Sequence, residues 1–130
     1  MDKKYTVLLV DDDKFLLEMY KKKFDLKAAK VDLAIGSTEV LERLRLGEKP
    51  DIIVLDIIMP VMDGIELLGI IRKEKLSPAS VIVVLSNESD RSKIERAKAL
   101  GVSGYIVKAT SNPSDVVDEV IKIADLKSKK

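Results

Sequence analysis

The chain contains no cysteine, no histidine and no tryptophan. Without cysteine it has neither a disulfide framework nor a thiolate zinc site. Without histidine it has no Ser-His-Asp triad, no histidine metal cluster and no imidazole acid–base catalysis. No apolar run approaches the roughly 18 residues that a membrane helix requires. The opening MDKKYTVLLVDDD has too short an apolar run for a secretory signal and lacks a small-residue cleavage site. Charge is not one-sided either: 23 Lys and Arg stand against 22 Asp and Glu, a net charge of +1. That balance argues against holding nucleic acid or a membrane by bulk charge. These absences predict a soluble, cytoplasmic chain whose chemistry rests on carboxylates, hydroxyls and amines.

What is present suits one domain. A chain of 130 residues removes about two-thirds of its unfolded surface from water, enough for a core without staples. We expect the domain over residues 1–126 and a frayed basic tail, KSKK, over 127–130. Five apolar runs are short and β-branched: Thr6–Val10, Val31–Ile35, Ile52–Leu55, Val81–Leu85 and Tyr105–Val107. Three are nearly continuous, the pattern of parallel strands covered on both faces. Helical spacing lies between them, in Leu16, Leu17, Tyr20 and Phe24, in Val40, Leu41 and Leu44, and in Ile65, Leu68 and Ile71. The stripe Val116, Val117, Val120, Ile121, Ala124 is the clearest. The segment Asp90–Leu100 is thinner, with Ile94, Ala97 and Leu100 as its apolar side. Punctuation agrees: Ser37 is placed to cap the second helix, Gly101 to end the fourth, and Pro113 to open the fifth. The reading is a (βα)5 chain, one parallel sheet with helices on both faces.

Open α/β sheets bind ligands outside the carboxyl ends of their strands. Those ends carry Asp11, Asp12 and Asp13, then Asp56, then Ser86 and Asn87, then Lys108. Taken singly, most have ordinary explanations. Asp13 reads as a helix cap, Ser86 as another, Lys108 as a snorkelling surface residue and Tyr105 as core. Asp56 is odder, because a carboxylate directly after IIVL is costly unless paired. Jointly they place hydroxyl and charge at four strand ends. Converging carboxylates repel unless a cation joins them. With no nitrogen or sulfur ligand available, a hard oxygen-seeking dication such as Mg2+ is the natural companion. Three carboxylates, one ammonium and one dication balance. Such a set suits phosphoryl transfer onto a carboxylate.

The segments VDDD at 10–13, LDIIMPVMDG at 55–64, LS at 85–86 and GYIVK at 104–108 resemble the receiver domain of two-component response regulators across essentially the whole chain. The resemblance implies a flavodoxin-like doubly wound α/β fold, a five-stranded parallel sheet in the order 2-1-3-4-5. It implies that Asp56 accepts a phosphoryl group from a phosphohistidine of a histidine kinase or histidine phosphotransfer protein. Asp11, Asp12, Asp56 and the backbone carbonyl of Ile58 would hold Mg2+. Ser86 and Lys108 would each contact a phosphoryl oxygen. Tyr105 would turn inward when Ser86 moves, changing the face of the fourth helix, fifth strand and fifth helix toward a downstream protein partner. The chain would be a phosphorylated switch catalysing only its own phosphorylation and dephosphorylation, with no direct nucleic-acid or membrane contact.

The sequence departs from that family at three places. Asn87 stands where a small residue is usual after Ser86, positioned to crowd the phosphodonor or to bond the phosphoryl group. Ala109 stands where proline in a cis peptide is usual after Lys108. A cis bond to a non-proline costs about 2.5–4 kcal/mol, so we expect a trans peptide and a shifted loop. Ile58 lies two residues after Asp56 and cannot orient water, which predicts slow self-dephosphorylation. Two other readings use the same strand ends. A Mg2+-dependent aspartyl-phosphate phosphatase fits the carboxylates but lacks a second acid two residues after Asp56 and a cap insertion. A flavin carrier would set three aspartates against a cofactor phosphate.

Overall fold

The computed structural model describes residues 3–128. Strand β1 (Thr6–Asp11) leads to helix α1 (Lys14–Phe24), then β2 (Lys30–Ile35), α2 (Ser37–Arg45), β3 (Ile52–Leu55) and α3 (Gly64–Lys73). After these come β4 (Val81–Ser86), α4 (Arg91–Ala99), β5 (Gly104–Val107), a single 3-10 turn at Lys108–Thr110 and α5 (Pro113–Ser128). All strand pairs are parallel and the order is β2-β1-β3-β4-β5. This is the flavodoxin-like arrangement that the resemblance implied. No helix among the described residues is long and apolar enough to cross a membrane.

The alternation of each strand divides the core in two. Leu8, Val10, Ile53, Leu55, Ile82 and Val84 point to the face covered by α2, α3 and α4. Val7, Leu9, Ile52, Val54, Val83 and Leu85 point to the face covered by α1 and α5. The central strand β3 is buried at every position, which explains its continuous apolar run. Pairing carries β1 and β4 one residue past their apolar runs, because Asp11 stays in register with Ile35 and Ser86 with Val107. That extra residue is polar in both strands, and both face the site.

Local chemistry sets the helix ends. Asp13 caps α1 by accepting from the Leu16 N–H at 3.1 Å, as expected, and Asp63 and Asp90 cap α3 and α4 in the same way. Ser37 does not cap α2. It is the first helical residue, Gly36 occupies the cap position at φ 89°, and the Ser37 hydroxyl donates to the Met62 carbonyl at 2.8 Å. A side chain one position inside the helix is not placed to accept the first-turn N–H groups as a residue at the cap position would be. The last helix is longer than expected: Lys127 and Ser128 belong to α5, while the other two residues of the expected tail lie outside the described residues. Gly64 allows the closest backbone approach. A Cβ there would stand 2.3 Å from the Asp56 carbonyl oxygen, so a glycine lets α3 start directly beneath the acidic residue.

Candidate functional site

Three strand ends and one turn converge. Asp56 follows β3, and its N–H still bonds the Val10 carbonyl at 3.2 Å. Its side chain is buried. Oδ1 accepts from the Ile58 N–H at 3.1 Å and from the Ser86 hydroxyl, and Oδ2 accepts from Lys108 Nζ at 2.8 Å. Asp11, equally buried, accepts the N–H groups of Asp12 and Asp13 on Oδ1, at 2.8 and 3.2 Å, and Lys108 Nζ on Oδ2 at 2.8 Å. Lys108 thus lies between two carboxylates and bonds both. Desolvated carboxylates are tolerated only when paired and hydrogen-bonded, and these two are. Among the described residues no buried side-chain nitrogen or oxygen lacks a partner.

Two opposed effects act on Lys108. Burial disfavours its charged form, but hydrogen bonds and charge from Asp11 and Asp56 outweigh burial and hold the ammonium above the ordinary lysine value. The amine therefore remains a cation at neutral pH. Ser86 is fully buried at the end of β4, donating to Asp56 and accepting the Glu88 N–H at 3.2 Å. Tyr105 is half-buried on β5 and donates to the Glu88 carbonyl at 3.1 Å. Burial first, then the charges of Glu88 and Asp56, push its phenol upward.

The structure brings Asp11, Asp56, Ser86 and Lys108 together, with Tyr105 one link away through Glu88. It does not draw Asp12 in. Asp12 is exposed, and its carboxylate makes no hydrogen bond or ion pair among the described residues. Among the described residues no three carboxylates are gathered closely about one point. The donor types still suit a hard dication: oxygen from Asp11, Asp12, Asp56 and the Ile58 carbonyl, with no sulfur or imidazole. Ile58 itself is 53% exposed at the mouth of the site.

The departures after Ser86 and Lys108 meet. No peptide among the described residues is cis, and Lys108–Thr110 forms a 3-10 turn. Asn87 Oδ1 accepts the Ala109 N–H at 2.7 Å. The Asn87 side-chain oxygen is therefore turned to the neighbouring turn. Each residue stood out singly in the sequence. Their pairing was hidden because the two lie 22 residues apart. Glu88, two residues after Ser86, turns its carboxylate to the following loop. Its carboxylate accepts the Ser89 and Asp90 N–H groups, both at 3.0 Å, and shapes the loop into α4.

A family model described as the response regulator receiver domain matches residues 7–121. The chain is 29% identical to chemotaxis protein CheY of Halobacterium salinarum over 117 residues, 88% of this chain and 95% of that protein. It is 35% identical over 107 residues to the probable C4-dicarboxylate response regulator DctR of Bacillus subtilis, covering 82% of this chain but 46% of that one. Its fold superposes on a CheY-like receiver domain protein of Methanospirillum hungatei with a TM-score of 0.86 at 25% identity, covering 96% and 97% of the two chains. CheY4 of Vibrio cholerae gives a TM-score of 0.78 at 28% identity, over 92% of this chain and 98% of the other. With the strand order and the strand-end constellation already in place, these matches show that the chain belongs to the receiver domains of two-component response regulators and shares the CheY-like fold.

Proposed function

We propose that the chain is a phosphorylation-operated switch whose acceptor is Asp56. The observation that carries this reading is the contact of Lys108 with both Asp11 and Asp56 while Ser86 holds the other oxygen of Asp56. A carboxylate fixed by three donors at the open end of a rigid sheet is preorganised as a nucleophile. One of its oxygens attacks the phosphorus of a phosphohistidine on a histidine kinase or phosphotransfer protein. The new O–P bond forms as the P–N bond breaks, and the electron pair returns to the imidazole nitrogen. Lys108 and Ser86 then donate to the phosphoryl oxygens, the positions of greatest charge. Asp11, Asp12, Asp56 and the Ile58 carbonyl would hold Mg2+, which when bound supplies positive charge against the phosphoryl group.

Transfer converts Asp56 into an acyl phosphate, so Ser86 and Lys108 exchange a carboxylate partner for a larger one. Ser86 also accepts the Glu88 N–H, and the Glu88 carbonyl holds Tyr105. Moving Ser86 therefore pulls on the loop that anchors Tyr105, and the α4–β5–α5 face changes toward a downstream protein. The exposed side of α4 carries Arg91, Arg96 and Lys98, a cationic surface for such a partner. The test is incubation with Mg2+ and acetyl phosphate or phosphoramidate. A single base-labile adduct on Asp56, absent in Asp56→Asn, is the expected outcome. Continuous turnover of varied phosphate esters without an adduct would overturn the switch in favour of a phosphatase.

A further inference from the structure

We propose that Asn87 is a positioning residue for Lys108, acting through the Ala109 backbone; this rests on Asp56 being the phosphoryl acceptor. Ladder pairing of β4 with β5 ends at Ser86 and Val107. The site's donors stand at this end, Ser86 on the last rung toward Asp56 Oδ1 and Lys108 just beyond it toward Asp56 Oδ2. The residue after each donor closes one further rung, Asn87 Oδ1 to the Ala109 N–H at 2.7 Å. This is a side chain continuing a backbone ladder that the strands themselves no longer continue.

The rung matters because little else anchors that turn. Lys108, Ala109 and Thr110 form one 3-10 turn in which no residue is buried. Its internal bonds are long, Ser111 N–H to the Lys108 carbonyl at 3.3 Å and the Thr110 hydroxyl to the Val107 carbonyl at 3.5 Å. The lysine backbone is thus held by β5 on one side and by Asn87 on the other. A long, flexible side chain reaches a fixed point reliably only when its backbone is fixed. The donor is a main-chain N–H that proline lacks, so the rung needs both a short acceptor side chain at 87 and a residue other than proline at 109. Asn87 is exposed and hydrogen-bonds neither carboxylate, so the proposed effect on the reaction runs through the position of Lys108.

The two roles open to Asn87 differ in sign. If it merely narrows the donor's path, truncation speeds phosphorylation. If it sets Lys108, truncation slows it. The experiment compares wild type, Asn87→Ala and Asn87→Asp, following Asp56 phosphorylation by acetyl phosphate with Mg2+ at high salt, where an added charge is screened. Hydrogen exchange of the Ala109 amide is read in parallel by NMR. Asn87→Ala is expected to slow phosphorylation about five-fold, the scale of one lost hydrogen bond, and to expose the Ala109 amide. Asn87→Asp keeps the acceptor and is expected to restore both. An Asn87→Ala rate equal to or above wild type overturns the proposal. So does an Asn87→Asp chain whose Ala109 amide is protected but whose rate stays low. A wild-type chain that takes no phosphoryl group at Asp56 instead removes the acceptor assignment itself, an outcome distinct from either.

Discussion

Strands β3 and β5 are both four residues long, yet they belong to different kinds of structure. In β3 every residue is buried, and the following helix α3 buries Gly64, Ile65, Leu67, Leu68 and Ile71. In β5 no residue is fully buried, and α4 before it buries Ala97 among its nine residues. Asp56, the proposed acceptor, directly follows β3 and so sits on the part of the sheet with most to lose by moving. Tyr105, on β5, sits where local rearrangement costs least, because few apolar contacts resist it. A receiver needs this asymmetry, since a switch requires a fixed input and a movable output.

The largest effect should come from attacking the rigid side. Ile53→Ala removes a side chain with no exposure and should cost about 2–5 kcal/mol. The same truncation at Ile106 on β5, only partly buried, should cost about 1 kcal/mol, since less apolar area returns to water. Denaturant melts of both variants check the contrast. Equal losses would mean that β5 is as firmly packed as β3, and the input–output division would fail.

A second comparison lies within α3. At Gly69 an added Cβ meets nothing within 4 Å, whereas at Gly64 it would press on the Asp56 carbonyl at 2.3 Å and on the Ile57 Cα at 2.7 Å. Gly69→Ala should stabilise by about 0.5–1 kcal/mol through helix propensity. Gly64→Ala should destabilise by about 1–3 kcal/mol, because backbone must move to admit the methyl group. It should also slow acetyl-phosphate labelling of Asp56, while Gly69→Ala leaves labelling unchanged. Thermal melts and labelling rates together separate propensity from close approach.

The same asymmetry governs what the sequence could tell. IIVL and VIVVL announced buried parallel strands because both faces of the sheet are covered. Asp11, Asp56, Ser86 and Lys108 were legible because residues at strand ends converge once the topology is known. What closes the site was not legible. The strand ends suggested three carboxylates and a lysine at one place, but not that Lys108 bonds both Asp11 and Asp56 directly while Asp12 stays exposed. Composition gives the charges but not which of them pair. Ser37 was misread as a cap because the Met62 carbonyl that captures it comes from a loop 25 residues away. The Asn87–Ala109 bond was out of reach for the same reason: nonlocal partners of polar side chains are set by tertiary geometry, and local patterning does not encode them.

Ile58 tests the open mouth of the rigid side. It is apolar and 53% exposed two residues after the acceptor, with its N–H on Asp56 and its side chain unable to orient water. Ile58→Asn should speed phosphate release from phosphorylated Asp56 several-fold without changing the melt. Release measured after removing excess acetyl phosphate decides it, and an unchanged or slower rate counts against water access as the limit on the lifetime of the switch.

The smallest effect belongs to the movable side. The Glu88 carboxylate accepts the Asp90 and Ser89 N–H groups and pairs with Lys93 at 3.3 Å. The bond from the Asp90 N–H, then Lys93 and the Ser89 N–H, hold its pKa below the ordinary 4.5 despite a desolvation contribution in the other direction. A carboxyl whose folded value is depressed stabilises the fold above its unfolded value and loses that contribution as pH falls through the folded one. Wild type should therefore lose melting temperature as the solution is acidified below pH 4.5, and Glu88→Gln should lose less over the same interval, because its uncharged amide has no proton to take up. The two curves should converge at the acid end. Parallel curves would show that Glu88 does not organise the loop into α4, and the anchor of Tyr105 would have to be sought in the packing of its ring against the α3 side of the sheet.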